Sequence, residues 1–168
     1  HYRDEATNRP LCFSSHPDLC LSGGSILGVS SSGTSSKNSY TPSASGATPP
    51  MWANSHHPSV GYMAYLVSGW FYFAEEVQFA ATIGFLNQQN VARGSAKGLM
   101  LSNVGANTTR GAAWALRTLL QAATVTPDAD TALRDELLAS IGSNVEYYHA
   151  KYAGQPLNPF RGCHPYSD

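Results

Sequence analysis

The stretch "SHHPSVGYMAYLVSGWFYFAEE", residues 55–76, predicts two helices joined by an abrupt turn. Pro58 suits the first position of a helix, and Ser68 and Gly69 interrupt the helical pattern before an aromatic-rich run restarts it. Apolar residues recur at helical spacing on both sides of this break. The stretch therefore indicates an αα-hairpin, with two histidines immediately before its first helix.

The rest of the chain predicts a second hairpin after a long loop. Residues 90–107 contain three glycines, which favour a loop. Thr108 or Thr109 can cap a third helix, and Asp128 or Asp130 can cap a fourth beyond a tight turn. We therefore expect an all-α fold of two consecutive αα-hairpins, with helices near residues 58–68, 70–89, 109–124 and 129–152.

One apolar stripe on each predicted helix is expected to face a shared core. Leu120 and Ile141 belong to these stripes, so truncating either to alanine would cost about 2 to 5 kcal/mol. The predicted core residues are Val60, Met63, Leu66, Phe73, Val77, Ala80, Leu116, Leu120, Leu137, Ile141 and Val145.

The residues before the helices are predicted to be irregular. From residue 22 to residue 50, 21 of 29 residues are Ser, Gly, Thr or Pro, a composition that cannot supply a packed face. Turn-forming clusters dominate residues 1–20, which we expect to dock on the helices without forming elements of their own. The chain therefore divides into an irregular Ser/Gly-rich segment at 1–50, a helical domain at 51–154 and an irregular tail at 155–168.

Composition excludes some classes of partner. The 10 Lys and Arg residues nearly balance the 11 Asp and Glu residues, and no basic stripe is present to bind nucleic acid. No apolar run approaches the roughly 20 residues that a membrane span needs. Charged residues make up only 12% of the chain, which favours an extracellular protein, either secreted or particle-associated. Because the sequence starts at His1 and not at Met, we expect a processed product or a fragment.

The three cysteines do not indicate a metal site. Cys12 and Cys20 lie eight residues apart and can form a disulfide, with free thiols as the alternative, and Cys163 has no assigned partner. The chain contains neither a Cys-x-x-Cys nor a His-x-x-x-His pair, so no metal and no other cofactor are expected.

The predicted connections bring the long loops together at one end of the helices. Links within each hairpin are short enough to force antiparallel packing, whereas roughly 18 residues join the second and third helices. If the hairpins stack side by side, the segment before the first helix, the long loop and the end of the fourth helix share one rim. Functional residues usually collect on long loops that a rigid scaffold supports.

The sequences "HHPSVGYMAYLVSGWFYFAEEVQFAA" (residues 56–81) and "RGAAWALRTLLQAATVTPD" (residues 110–128) resemble helix-hairpin units of α/α-toroid carbohydrate-active proteins. The resemblance covers roughly residues 50 to 152 and implies a partial toroid-like arrangement. Toroids of this kind include glycoside hydrolases and polysaccharide lyases. Four helices cannot close such a ring, so the resemblance also implies further chain segments or subunits of a larger assembly.

Lyase chemistry suits the residue types of this rim better than hydrolysis does. Elimination from a uronic acid needs a base, a group that neutralises the carboxylate, and an acid for the leaving oxygen. His57, Arg110 and Tyr62 are the catalytic candidates for these roles. Hydrolysis instead needs two carboxylates, and the rim is poor in acids.

Aromatic and polar side chains near these residues are candidates for binding a polysaccharide. Tryptophan rings can stack on sugars, although packing within the core is the alternative for each of them. The two histidines can also serve only to cap the first helix. The predicted substrate-binding residues are Trp52, Asn54, His56, Asn107 and Trp114.

Two functions remain open at the level of sequence. One is a part of a secreted polysaccharide-processing protein, with lyase-type β-elimination ahead of hydrolysis. The other is a non-catalytic structural or interaction module of a larger secreted or particle-associated assembly. Low charge and the incomplete ring favour the module, whereas the histidine- and tyrosine-bearing rim favours the enzyme.

Overall fold

The computed structural model describes residues 3–17, 19, 56, 58–86, 93–101 and 109–153. Across these ranges the protein is helical and has no strand, which confirms the predicted all-α class. The four helices are α1 (Val60–Ser68), α2 (Phe71–Leu86), α3 (Thr109–Val125) and α4 (Thr131–Tyr152), and a 3₁₀ turn spans Ser95–Lys97. All of these helix bounds lie within three residues of their predictions. The predicted segment 22–50 and tail 155–168 lie outside the described residues.

Gly69 ends α1 because its φ of +66° is in the left-handed region that residues with a Cβ disfavour. Its N–H donates to the Tyr65 carbonyl oxygen over 2.7 Å, which satisfies one of the free carbonyls at the helix end. The N–H of Trp70 donates to the Ser68 hydroxyl at 3.2 Å. Two residues therefore suffice to turn the chain from α1 into α2, as predicted.

The helices pack in the order of the chain, with α1 on α2, α2 on α3 and α3 on α4. Gly61 lets α1 approach α2 closely, because a Cβ at this position would lie 2.6 Å from the Phe73 carbonyl oxygen. Farther along α2, a Cβ on Gly84 would lie 4.0 Å from that of Ala115. The Gln78 side chain donates to the hydroxyl of Thr126, just beyond α3, at 3.0 Å. Residues later in α2 thus contact residues earlier in α3, so the two helices are antiparallel.

Two clusters of buried side chains form the described core. The larger cluster lies between α2, α3 and α4, with Tyr62 and Tyr65 of α1 packed against it. Alanines supply much of its surface on α2 and α3, so these two helices can pack closely. The smaller cluster adds Leu11 and Phe13 from the N-terminal segment and Met100 from the loop after the 3₁₀ turn.

Several predicted core residues face solvent, so the predicted stripes were partly wrong. The predicted stripe on α4 advances by four residues at each step. Each step rotates the stripe by about 40° around a helix of 3.6 residues per turn, so it leaves the buried face. The observed buried face steps through Leu133, Leu137, Ser140 and Asn144, and two of these residues are polar. On α1 the buried face is centred on Gly61. The exposed residues that were predicted to be buried are Val60, Met63, Leu66, Leu120 and Val145. The other predicted core residues are either buried (Val77 and Leu137) or half-buried (Phe73, Ala80, Leu116 and Ile141).

On α3 the buried face is displaced by one residue from the prediction. Leu119 is 1% exposed, whereas its neighbour Leu120 is 51% exposed. Leu119→Ala is therefore expected to lower the free energy of unfolding by about 3 kcal/mol, because it leaves a cavity. Leu120→Ala should lower it by less than about 1 kcal/mol, since that side chain already contacts water. Urea unfolding of the two variants measures the difference, and equal losses would contradict the observed face.

The N-terminal segment, residues 3–17 and 19, docks on the helices without a helix or strand of its own, as predicted. The Phe13 ring meets the Phe85 ring of α2 edge-on, with 5.0 Å between the ring centres. The Glu136 carboxylate of α4 accepts hydrogen bonds from the backbone N–H groups of Phe13 at 2.9 Å and Ser14 at 3.2 Å. The segment therefore contacts both α2 and α4.

The Arg93 side chain links the N-terminal segment to α2 through hydrogen bonds. This residue is 0% exposed. Its Nη2 donates to the carbonyl oxygens of Pro17 at 2.8 Å and Leu19 at 2.7 Å. Its Nη1 donates to the Phe85 carbonyl oxygen at 3.4 Å, and the guanidinium carbon lies 5.4 Å from the centre of the Phe85 ring. One buried side chain thus joins the N-terminal segment, the end of α2 and the loop that follows.

Cys12 is a free thiol, which is the alternative that the sequence left open at this position. Burial of this thiol raises its pKa to about 12, and the nearby Glu136 carboxylate acts in the same direction. At neutral pH the thiol therefore stays protonated and is a poor nucleophile. Cys20 and Cys163 lie outside the described residues.

Candidate functional site

The described residues include four of the eight predicted site residues. His56 is exposed shortly before α1, and Tyr62, Arg110 and Trp114 lie on helices. The other four lie outside the described residues, and their roles stay predictions: Trp52, Asn54, His57 and Asn107.

The structure does not bring Tyr62 close to Arg110. The hydroxyl of Ser59, immediately before α1, hydrogen-bonds to the side chain of Gln121. Gln121 lies eleven residues beyond Arg110 on α3, which corresponds to a rise of about 16 Å. Because α1 and α3 are both antiparallel to α2, α1 runs away from Arg110, and Tyr62 lies no nearer to it than Ser59 does. The Tyr62 side chain packs instead against the larger core cluster.

Arg110 and Trp114 do lie together, on one face of α3. With Arg117 they follow the spacing of four and three residues that places side chains next to each other on a helix. The guanidinium carbons of Arg110 and Arg117 lie 5.8 Å and 5.2 Å from the centre of the Trp114 ring. The ring attracts both cations through its electron-rich face. We call these three residues the α3 arginine face, which combines an aromatic surface with two positive charges.

A serine, a histidine and an aspartate align in the N-terminal segment, and sequence reasoning missed this cluster. Nδ1 of His16 lies 3.0 Å from the Ser15 hydroxyl, and Nε2 lies 3.2 Å from the Asp4 carboxylate. Nδ1 also lies 3.2 Å from the Cys12 carbonyl oxygen, which can only accept a hydrogen bond. The Nε2 atom faces the Asp4 carboxylate, and Nδ1 faces both the Ser15 hydroxyl and the Cys12 carbonyl oxygen, so one imidazole links three other residues of the segment.

The outermost helix exposes a large apolar surface. Residues 58–74 contain no charged residue, and apolar side chains occur all round α1. That pattern is typical of a helix buried on every side, and it is the sequence signal that could have revealed this surface. We define the outer face as seven side chains of α1, the link and α2, between 55% and 84% exposed: Val60, Met63, Leu66, Val67, Trp70, Phe71 and Tyr72.

A groove lies where the loop after the 3₁₀ turn meets α4. Its volume is about 310 Å³. No sequence motif marks this groove, because packing alone brings its two sides together. It is lined by Lys97, Leu99, Ser143, Glu146 and Tyr147.

No metal site, membrane-spanning helix or similar protein assigns a function to the described surfaces. In the described part of the chain, no group of three or more His, Cys, Asp or Glu residues is placed to hold a metal ion. None of the described helices combines the length and hydropathy needed to cross a membrane. No family model matches the chain, and no curated protein or solved structure shows significant similarity to it.

Proposed function

We propose that this chain is a non-catalytic helical module of a larger assembly, and that its outer face binds an apolar helical surface elsewhere in that assembly. The exposure of the outer face is the observation that supports this function. Trp70, Phe71 and Tyr72 are each more than half exposed. Together these three rings leave on the order of 300 Å² of surface in water. The largest contiguous apolar patch on a soluble monomer is typically about 300 to 600 Å² and is often functional.

The outer face has the geometry of a helix-packing surface. Val60, Met63 and Val67 follow the spacing of three and four residues that forms one apolar stripe along a helix, and such a stripe packs against the side chains of a second helix. The partner surface should also lack charge, since this face offers no charge to pair with one and an unpaired buried charge is costly. Because α1 is the first helix in the packing order, the partner would extend the layer of helices beyond α1.

Photo-crosslinking from Val67 tests this function in the cells that naturally produce the protein. A photoreactive phenylalanine analogue at Val67 is expected to form adducts with an apolar helical segment outside residues 1–168, identified by mass spectrometry. The same analogue at Thr124, which is exposed on α3, should not label that segment. Met63→Glu should abolish the adduct and leave the melting temperature unchanged, because the side chain is exposed in the isolated chain.

Three outcomes of this experiment would reject the proposal. Adducts that map to a second copy of the chain would make the outer face a self-association surface. Adducts with lipid would make it a membrane-binding surface. Equal labelling from Val67 and Thr124 would show that the outer face has no specific partner.

A second candidate function is the processing of an acidic polysaccharide, with lyase-type elimination ahead of hydrolysis. The α3 arginine face favours it, because Arg110 can hold a carboxylate bidentately beside an aromatic ring. The resemblance to α/α-toroid carbohydrate-active proteins points the same way. With Tyr62 far from Arg110, the acid would come from another part of the assembly, and His57 remains the proposed base. This function would place the protein outside the cell.

Binding to polygalacturonate tests the second candidate. The wild-type chain should bind polygalacturonate and not the neutral polymer dextran. Arg110→Gln should weaken that binding by about tenfold, because a charge-assisted contact is lost. Arg134→Gln, which removes a positive charge on α4, is the matched control and should bind as the wild type does. If the wild-type chain does not bind polygalacturonate, or if both variants lose affinity equally, the second candidate is rejected and only the helical-module function remains.

A further inference from the structure

We propose that the groove between the loop and α4 binds a small zwitterion, an α-amino acid with an apolar side chain. In this complex the carboxylate of the ligand pairs with Lys97 and its ammonium group pairs with Glu146. Leu99 and Tyr147 contact the apolar side chain. This inference concerns a different surface from the outer face and does not depend on the proposed function.

The loop side of the groove is fixed to α4 by buried hydrogen bonds. The Gly98 carbonyl oxygen accepts from the Ser140 hydroxyl at 2.8 Å and from the Asn144 side-chain amide at 3.0 Å. The Met100 N–H donates to the Asn144 side-chain oxygen at 2.7 Å. The Tyr148 hydroxyl donates to the Met100 carbonyl oxygen. The main chain on both sides of Leu99 is therefore held in place, so ligand binding does not have to order it.

Lys97 is positioned by its own aliphatic stem. Gly94 has a φ of +66°, and a Cβ on it would lie 3.3 Å from both Cβ and Cδ of Lys97 and 3.5 Å from Cδ1 of Leu99. The stem therefore packs on the Gly94 backbone beside Leu99, which limits its freedom before a ligand arrives. On the other side of the groove, Ser143 and Tyr147 are four residues apart on α4 and lie next to each other.

The two charges of the groove are available to a ligand. Neither Lys97 nor Glu146 forms an ion pair with another residue in the described part of the chain. A simple anion would be attracted by Lys97 but repelled by the Glu146 carboxylate. A simple cation would be attracted by Glu146 but repelled by the Lys97 ammonium group. A zwitterion pairs with both groups through charge-assisted hydrogen bonds. A volume of about 310 Å³ is near the lower limit of small-molecule sites, which suits a single amino acid better than a large cofactor.

A matched set of ligands tests each charge separately. The probes are L-phenylalanine, N-acetyl-L-phenylalanine, which lacks the ammonium group, and L-phenylalaninamide, which lacks the carboxylate. In NMR titrations at pH 7, L-phenylalanine should shift the Leu99 methyl and Tyr147 ring signals. Its affinity should exceed that of either derivative by at least about tenfold, because each derivative loses one charge-assisted contact.

Two variants assign the charges to residues. In Glu146→Gln, L-phenylalanine and its N-acetyl derivative should bind equally, and in Lys97→Met, L-phenylalanine and its amide should bind equally. Asp135→Asn, which removes an exposed carboxylate of α4, should keep the wild-type preference. Melting temperatures establish that each variant is folded. Shifts at other residues only, no saturable binding, or unchanged preferences in both groove variants would overturn the proposal. Binding of glucuronate to the groove as tight as that of L-phenylalanine would overturn it as well, because the site would then accept a sugar acid.

Discussion

Replacing Arg93 with methionine is expected to lower the free energy of unfolding by on the order of 5 kcal/mol. The substitution keeps an unbranched apolar stem and removes the guanidinium group that donates to the carbonyl oxygens of Pro17, Leu19 and Phe85. The Phe85 contact is buried and the other two are part-buried, and each carbonyl kept from water without a donor costs roughly 1 to 3 kcal/mol. Residues 11–19 should also become accessible to proteases, because the Arg93 guanidinium binds the end of that segment directly.

Urea unfolding and limited proteolysis measure these two effects. Arg134→Met is the matched control, since Arg134 pairs with Asp128 at the surface and its loss should cost less than about 1 kcal/mol. Arg93→Lys should fall between the wild type and Arg93→Met, because an ammonium group keeps the charge but cannot reach several carbonyls at once. A loss for Arg93→Met no larger than that for Arg134→Met would show that the buried guanidinium contributes little to stability.

Gly98→Ala is expected to lower the free energy of unfolding by about 4 kcal/mol, the second largest effect we predict. The φ of Gly98 is +66°, a conformation that costs an alanine roughly 1 to 2 kcal/mol. The new Cβ would also lie 2.6 Å from the Ser140 hydroxyl oxygen and 2.8 Å from Cζ of Phe13. Both of these side chains are buried, so neither can move away without disturbing the packing between the loop, α4 and the N-terminal segment.

Gly142→Ala is the matched control on α4. A Cβ at this helical position meets no atom within 4 Å, so alanine should stabilise the protein by about 0.5 to 1 kcal/mol. The two substitutions therefore shift the urea midpoint in opposite directions. A stable Gly98→Ala variant would mean that the loop can leave α4 at little cost, and the rigid groove proposed above would then lose its support.

Helix bounds could be predicted from the sequence because local signals set them. Gly69 and the turn at Pro127 act through backbone conformation, which neighbouring residues alone determine. The buried faces could not be predicted as well. Residues 58–74 carry no charge, so no polar side orients α1. On α4 the buried face holds Ser140 and Asn144, whose partners belong to a loop more than 40 residues earlier in the chain.

The candidate sites were harder to predict than the fold. Arg110 and Trp114 were selected from the sequence and do lie together, because both sit on one helix at a spacing that makes side chains neighbours. Lys97 and Glu146 are 49 residues apart and share a groove only because buried hydrogen bonds hold the loop on α4. Pairing of that kind depends on tertiary structure, and no local pattern of residues reports it.

The way in which the N-terminal segment docks has a consequence for mutational drift. Arg93 and Glu136 bind carbonyl and N–H groups of the segment's main chain, which every residue type except proline supplies in full. Substitutions that change only the side chains at positions 17 and 19 would keep these contacts, whereas substitutions at Arg93 or Glu136 would remove them. Among diverging copies of this gene, the helical side of the contact should therefore change slowly while those segment positions vary more freely.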